Sequence, residues 1–295
     1  MDNLQPRKSN RTLAYSMAMV TIVMWSSAFA ALRFSLEYYS PLAIMPLRFI
    51  FGSVTLVLIG AIRRIRLPEK KDLPRFALAG LIGIFSYMIL LNYGSVTVVS
   101  GVASFIIASS PVFTIIMSRL VLKEIVRPIS WIGVAVSFCG LVVIMLSQTE
   151  GFTFSLGVLL ILGAAIATSG HNVMQRSFLK KYTSLEATTY TVLAATAFML
   201  IFAPNLVREL PGSPLNVNLI VAYMGIFPAA LGYLTWNVAL SYAEKTTHVT
   251  VFLYLSPFLS SLLGFFWLGE TFSLWTLLGG IVIIAGMALT NLRKK

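Results

Sequence analysis

Long apolar runs broken by short polar links set the pattern of this 295-residue chain. A helix that crosses a bilayer needs about 20 mostly apolar residues. The pattern predicts ten such helices, over residues 13–33, 41–62, 76–96, 99–121, 129–147, 153–174, 186–204, 217–240, 246–268 and 273–291.

The pattern is also written twice. Ser110, Pro111, Leu122, Glu124, Gly133, Val136 and Gly140 recur 146 positions later as Ser256, Pro257, Leu268, Glu270, Gly279, Val282 and Gly286. Upstream the offset slips by one, so that Asn92 meets Asn237, and Ser40-Pro41-Leu42 meets Thr183-Ser184-Leu185 only loosely. Ten predicted helices in two copies make five each, with the division at residues 1–147 and 148–295. An odd number of spans turns the second copy upside down in the membrane. Inverted repeats of this kind are a recurring device of secondary transporters, whose binding site lies near the midplane between the copies. The expected fold is therefore all-α and integral to the membrane, two inverted five-helix repeats around a central cavity.

Composition agrees: 58% of residues are hydrophobic and 11% charged, with mean hydropathy +0.87, where soluble domains carry about 25% charged residues. The net charge of +12 could suggest nucleic acid, but its placement argues otherwise. With the N-terminus inside, the inner segments are 1–12, 63–75, 119–128, 175–185, 241–245 and the C-terminal tail, and they hold 19 of the 22 basic residues. That asymmetry is the positive-inside rule, with the basic links meeting anionic lipid headgroups. Membrane lipid is an expected partner and nucleic acid is not. A bacterial inner membrane with both termini cytoplasmic is expected. The polar lead, the first apolar run and Ala28-Phe29-Ala30 imitate a cleavable signal peptide. Cleavage would leave the sixth helix without a counterpart, so retention is expected. Cys139 is the single cysteine, so there is no disulfide framework.

The paired Ser-Pro…Glu blocks, the Trp25-Ser26-Ser27-x-Phe29 start, the Ser-Pro-Leu…Arg48 second helix and the paired glycines of each last helix resemble the drug/metabolite transporter superfamily, EamA type. Within it the chain looks most like the YddG-like exporters of aromatic and other amino acids. The resemblance implies helices 1, 3, 4, 6, 8 and 9 around a cavity, with 2 and 7 peripheral and 5 and 10 on one flank. The second half departs from the pattern, with His171 and Asn172 in place of the small polar residues of the first helix.

No carboxylate sits mid-span: all ten acidic residues lie in tails, links or helix ends. A pump for organic cations would want a buried carboxylate, and a carrier of phosphorylated sugars would want a basic cluster, whereas only Arg48 is deep. The expected cargo is therefore small and neutral or zwitterionic, amino acids above all, moved without ATP, since no G-x-x-x-x-G-K-[ST] loop is present. The alternative is a multidrug or organic-cation exporter coupled to protons. An intramembrane enzyme would need convergent acid, base or metal groups. The two histidines stand 77 positions apart with no deep carboxylate between them, so no catalytic residue, metal site or cofactor is expected.

Candidate cavity residues are Trp25, Ser27, Tyr87, Asn92, Ser110, His171, Asn172, Tyr233, Trp236, Asn237, Tyr254 and Ser256. Together they could make an apolar cavity with a few polar handles, or simply pack helices. Pro111 and Pro257 are candidate hinges, because a mid-span proline removes a backbone donor and frees a carbonyl. His171 carries a proton in one reading and glues helices in the other. Gly133 and Gly140, with Gly279 and Gly286, read as close helix packing. Arg48 needs a partner, and Glu270 or Glu37 is the candidate. Glu124 and Glu270 are expected to cap neighbouring helix N-termini. A monomer, or a homodimer through helices 5 and 10, is expected.

Overall fold

In a computed structural model, residues 9–98, 100–148, 155–268 and 274–291 are described, and among them there are helices and no strands. Among the described residues the helices group into long rods and shorter pieces. They are α1 (Arg11–Ser35), α2 (Ile44–Arg63), α3 (Lys70–Thr97), α4 (Ser100–Ala108 and Ser110–Val121), α5 (Pro128–Gln148), α6 (Leu156–Phe178), α7 (Ser184–Met199, prolonged by Ala203–Glu209), α8 (Leu215–Tyr242), α9 (Thr247–Thr250, then Leu255–Leu268) and α10 (Leu274–Asn291). The rods α1, α2, α3, α4, α6, α7 and α8 are long and apolar enough to cross a membrane.

Several ends are fixed by local chemistry. Asn10 accepts from the Leu13 amide at 3.1 Å to cap α1, and Ser155 accepts from Val158 at 3.4 Å to cap α6. Thr183 and Glu186 form a reciprocal capping box at the start of α7. Arg64, at φ 51°, closes α2 in the left-handed region.

Two departures from plain helix recur in both halves. Ala79–Phe85 within α3 and Gly225–Gly232 within α8 are π-helical. The rod α4 breaks at Ser109, two residues before Pro111, and α9 passes through a 3-10 turn at Val251–Tyr254, just before Pro257. Segments of both kinds often accompany functional sites or hinges.

The packing is likewise paired. α1 lies on α8 and α9, and α6 lies on α3 and α4; α2 crosses the π segment of α8, and α7 crosses that of α3. α5 and α10 run antiparallel against each other. A Cβ on Gly133 would stand 2.6 Å from the Gly286 carbonyl oxygen, and one on Gly140 would stand 2.6 Å from that of Gly279. The small-residue face expected from the sequence is thus spent within the chain. The halves are interleaved, since α1 and α6 each bury their surface against the other half.

The basic links converge on one end. Arg11 pairs with Glu244 at 2.8 Å, and Lys245 donates to the Ile125 carbonyl at 2.6 Å. Arg176 donates to the carbonyls of Leu240, Ala243 and Glu244. Glu124 accepts from the Thr246 hydroxyl at 2.8 Å and amide at 3.2 Å, capping the start of α9 as expected; Glu270 lies outside the described residues. Lys181 bridges Glu69 at 2.7 Å and Asp72, and Lys71 joins Glu69 at 2.8 Å. Hydrogen bonds to Asp72 and Glu69 hold the Lys181 ammonium above its ordinary range, and those from Lys181 and Lys71 hold the Glu69 carboxyl below its own. At the opposite end Glu209 accepts from the Ser40 amide at 2.7 Å, and Tyr39 meets Ser213 at 2.6 Å.

Candidate functional site

A central cavity opens between α1, α2, α3, α4, α6, α8 and α9, with about 650 Å³ of unfilled space, counting the part that opens outward. Trp25, Ala28, Phe29 and Leu32 form the α1 wall; Tyr87, Met88 and Leu91 the α3 wall; Ile107 and Ala108 come from α4, and Leu253 and Ser256 from α9. Arg48 from α2, Thr168 from α6 and Tyr233 from α8 complete it. α5, α7 and α10 contribute nothing to this lining.

The break in each proline-bearing helix faces this space. Pro111 cannot donate to the carbonyl of Ile107, nor Pro257 to that of Leu253, because proline has no amide hydrogen. Ile107 and Leu253 occupy equivalent positions and both line the cavity. The carbonyl before each proline is held from outside its helix. Ser169 donates to the Ser110 carbonyl at 2.9 Å, and Ser26 to that of Ser256 at 3.3 Å.

The aromatic wall is layered. Trp25 meets Tyr233 edge-on at 5.5 Å and Trp236 at 5.1 Å, and its indole nitrogen donates to the Pro228 carbonyl at 2.9 Å inside the π segment. No hydrogen bond engages the phenols of Tyr87 or Tyr233 among the described residues.

Of the twelve candidate cavity residues, Trp25, Tyr87, Tyr233 and Ser256 line the space. The others stand behind it. Ser27 binds the Tyr223 hydroxyl at 2.6 Å, and Asn92 donates to the Pro41 carbonyl at 3.0 Å. Trp236 is fully buried and donates to Asn172 at 2.7 Å; Asn237 donates to Thr188 at 2.8 Å. Ser110 and Tyr254 are buried, with side-chain hydroxyls that have no partner. His171 packs edge-on against Tyr233 at 5.4 Å, closed off by Gly83, where a Cβ would lie 2.6 Å from Nδ1. Both its ring nitrogens lack a partner.

Arg48 is the charged residue among the lining residues that the candidate set lacks. Its depth was legible, but of the two expected partners Glu37 does not pair with it. Among the described residues it forms no salt bridge, to Glu37 or to any other carboxylate. Glu270 lies outside them. No acidic residue lines the cavity, and no cluster of three or more metal-ligating side chains occurs among the described residues.

A bundle of apolar helices around an aromatic-walled central cavity defines a multi-pass membrane protein of the transporter kind. Comparison with known proteins gives the family. The EamA-like transporter family's profile matches residues 12–146 and again 155–292. The chain belongs to the EamA-like transporter family. It is 35% identical to the uncharacterized transporter YdfC of Bacillus subtilis, covering 92% of this chain and 89% of that protein. It is 32% identical to a probable terminal-alkyne amino-acid exporter of Streptantibioticus cattleyicolor, covering 93% and 92%. It is 28% identical to the uncharacterized inner membrane transporter YedA of Escherichia coli, covering 92% and 88%. A crystal structure 21% identical in sequence superposes with a TM-score of 0.78 over 96% of this chain and 97% of its own, which speaks to the fold alone.

Proposed function

We infer that the protein is a secondary carrier that moves small neutral or zwitterionic metabolites, amino acids including aromatic ones, across a bacterial inner membrane without ATP. Ten membrane helices form two inverted five-helix repeats, and rocking one against the other opens the central cavity to alternate sides.

The observation that carries this reading is the paired contact set. An antiparallel α5–α10 seam in which Gly133 meets Gly286 and Gly140 meets Gly279 maps onto itself under the 146-residue offset. The two serine-to-carbonyl bonds at the prolines are paired in the same sense, with Ser110 and Ser256 146 positions apart and their donors Ser26 and Ser169 143 apart. Such pairing supports a two-fold axis perpendicular to the helices, the arrangement of inverted repeats. The basic links stitched at one end support cytoplasmic termini. One chain encloses a whole cavity, so a monomer suffices as the unit of transport. The amino-acid cargo is supported by the aromatic walls, by the absence of an acidic lining residue and by the exporter relative.

The test is uptake by purified protein in liposomes. Labelled leucine or phenylalanine should move down its gradient, saturably and without ATP. If no member of a broad amino-acid panel moves, the substrate reading fails.

A further inference from the structure

We propose that Arg48 is the carboxylate-binding group of the cavity, and that the protein selects apolar and aromatic monocarboxylates by the carboxylate rather than by the amine. This rests on the transport reading above and narrows its substrate class.

Arg48 is 6% exposed, and what exposure it has is toward the cavity it lines. A guanidinium stays charged in any protein. Yet its surroundings are poor in acceptors. Nη1 meets only the Met88 sulfur, at 3.8 Å, a weak acceptor; Nε has no partner; and the cation stands 5.8 Å from the Phe49 ring centroid. A buried charge left this way is costly, and an intramembrane ionisable side chain is by default a functional one. The missing partner is an anion, and the planar fork of donors suits a carboxylate held by two parallel bonds.

The rest of the wall fits the remainder of such a molecule. Trp25, Phe29, Leu32 and Leu91 offer apolar surface for its body. For an ammonium the described lining offers no carboxylate, only neutral groups: the phenols of Tyr87 and Tyr233, the hydroxyls of Thr168 and Ser256, and the carbonyls of Ile107 and Leu253 that the prolines leave without an i+4 donor. A charge-assisted bond is roughly twice as strong as a neutral one. The acid end therefore dominates recognition, and the amine is dispensable. A fixed positive charge in the wall also repels cations, against the organic-cation alternative.

The experiment is competition against labelled phenylalanine uptake in proteoliposomes, with 3-phenylpropionate, phenylalaninamide and 2-phenylethylamine as competitors. The same compounds are scored by thermal stabilisation of the detergent-solubilised protein. Phenylalanine and 3-phenylpropionate should compete comparably. The amide and the amine should bind about 10- to 100-fold more weakly, the loss of a hydrogen-bonded charge pair. Arg48→Gln should abolish the preference for acid over amide, and Arg48→Lys should keep the preference at reduced affinity. An amide that competes as well as the acid overturns the proposal while leaving the carrier reading intact. So does an Arg48→Gln protein that elutes as a single species and keeps the acid preference. If no member of the amino-acid panel moves, the substrate reading fails separately, and stabilisation by 3-phenylpropionate but not by the amide still decides the role of Arg48. No stabilisation by either acid overturns it.

Discussion

The Ser169 hydroxyl of α6 donates to the Ser110 carbonyl of α4, one residue before Pro111, at 2.9 Å. Its counterpart is Ser26 of α1 on the Ser256 carbonyl of α9, one residue before Pro257. Each broken helix is thus pinned by a serine from the opposite half. A joint that both halves share is where relative motion would be felt first.

Pro111→Ala and Pro257→Ala should each restore an amide donor and stiffen the joint. We expect the maximal transport rate to fall several-fold, on the order of 1 kcal/mol in barrier, with substrate KM little changed. Initial-rate kinetics in proteoliposomes check this; an unchanged maximal rate in both variants would reduce the kinks to static features.

The α5–α10 seam should not accept bulk. Gly133→Leu or Gly286→Leu sets a side chain against a backbone carbonyl 2.6 Å from the new Cβ. A loss of about 1–3 kcal/mol, as for overpacked cores, is expected. Gly170 is the control: nothing lies within 4 Å of a Cβ there, on an uninterrupted stretch of α6. Gly170→Ala should raise stability by about 0.5–1 kcal/mol through helix propensity. Thermal unfolding monitored by fluorescence size exclusion reads both.

The Trp236–Asn172 hydrogen bond, 2.7 Å long and fully buried, holds the tryptophan on which Trp25 rests. Asn172→Leu leaves the indole donor unsatisfied and should cost about 1–3 kcal/mol. Transport of the surviving folded fraction should be retained per molecule, because neither residue lines the cavity. A KM raised tenfold with stability intact would contradict that placement.

The Lys181 latch should show in the pH dependence of stability. Glu69 has a lowered carboxyl pKa, so its contribution is present above its ordinary value and lost as pH falls through the depressed one. Lys181 has a raised pKa, so its contribution is complete below the ordinary lysine value and lost only as pH rises through the raised one. Lys181→Met should therefore lower Tm at pH 7. The difference from wild type should shrink below about pH 4, where carboxylates protonate. A difference that does not change between pH 7 and pH 3 would leave the pair without a role.

The all-helical, membrane-spanning character of the described residues could be read from the sequence because each long rod is an apolar run with polar ends. The glycine seam could be read because its spacing recurs. Which side of each helix meets the cavity could not. Asn92, Asn237 and Asn172 are polar, but their hydrogen bonds go to the turn before α2 or to neighbouring helices, and apolar residues such as Leu91 and Ile107 take the wall. In lipid a polar side chain gains as much from a neighbouring helix as from a wet cavity, so polarity alone does not mark the lining. The π segments also escaped notice. They leave only glycines and Pro228 in the text, residues with many other uses. Arg48 was visible as a deep charge, but only the structure shows that no carboxylate among the described residues pairs with it.

The account stands on alternating access through one shared cavity, and counterflow tests that most directly. Liposomes holding the protein and loaded with unlabelled leucine, then diluted into a trace of labelled leucine, should transiently accumulate label above the outside concentration. A carrier couples outward to inward movement and produces this overshoot; label that merely equilibrates, at a rate indifferent to the internal load, would show an open pathway instead and contradict the account.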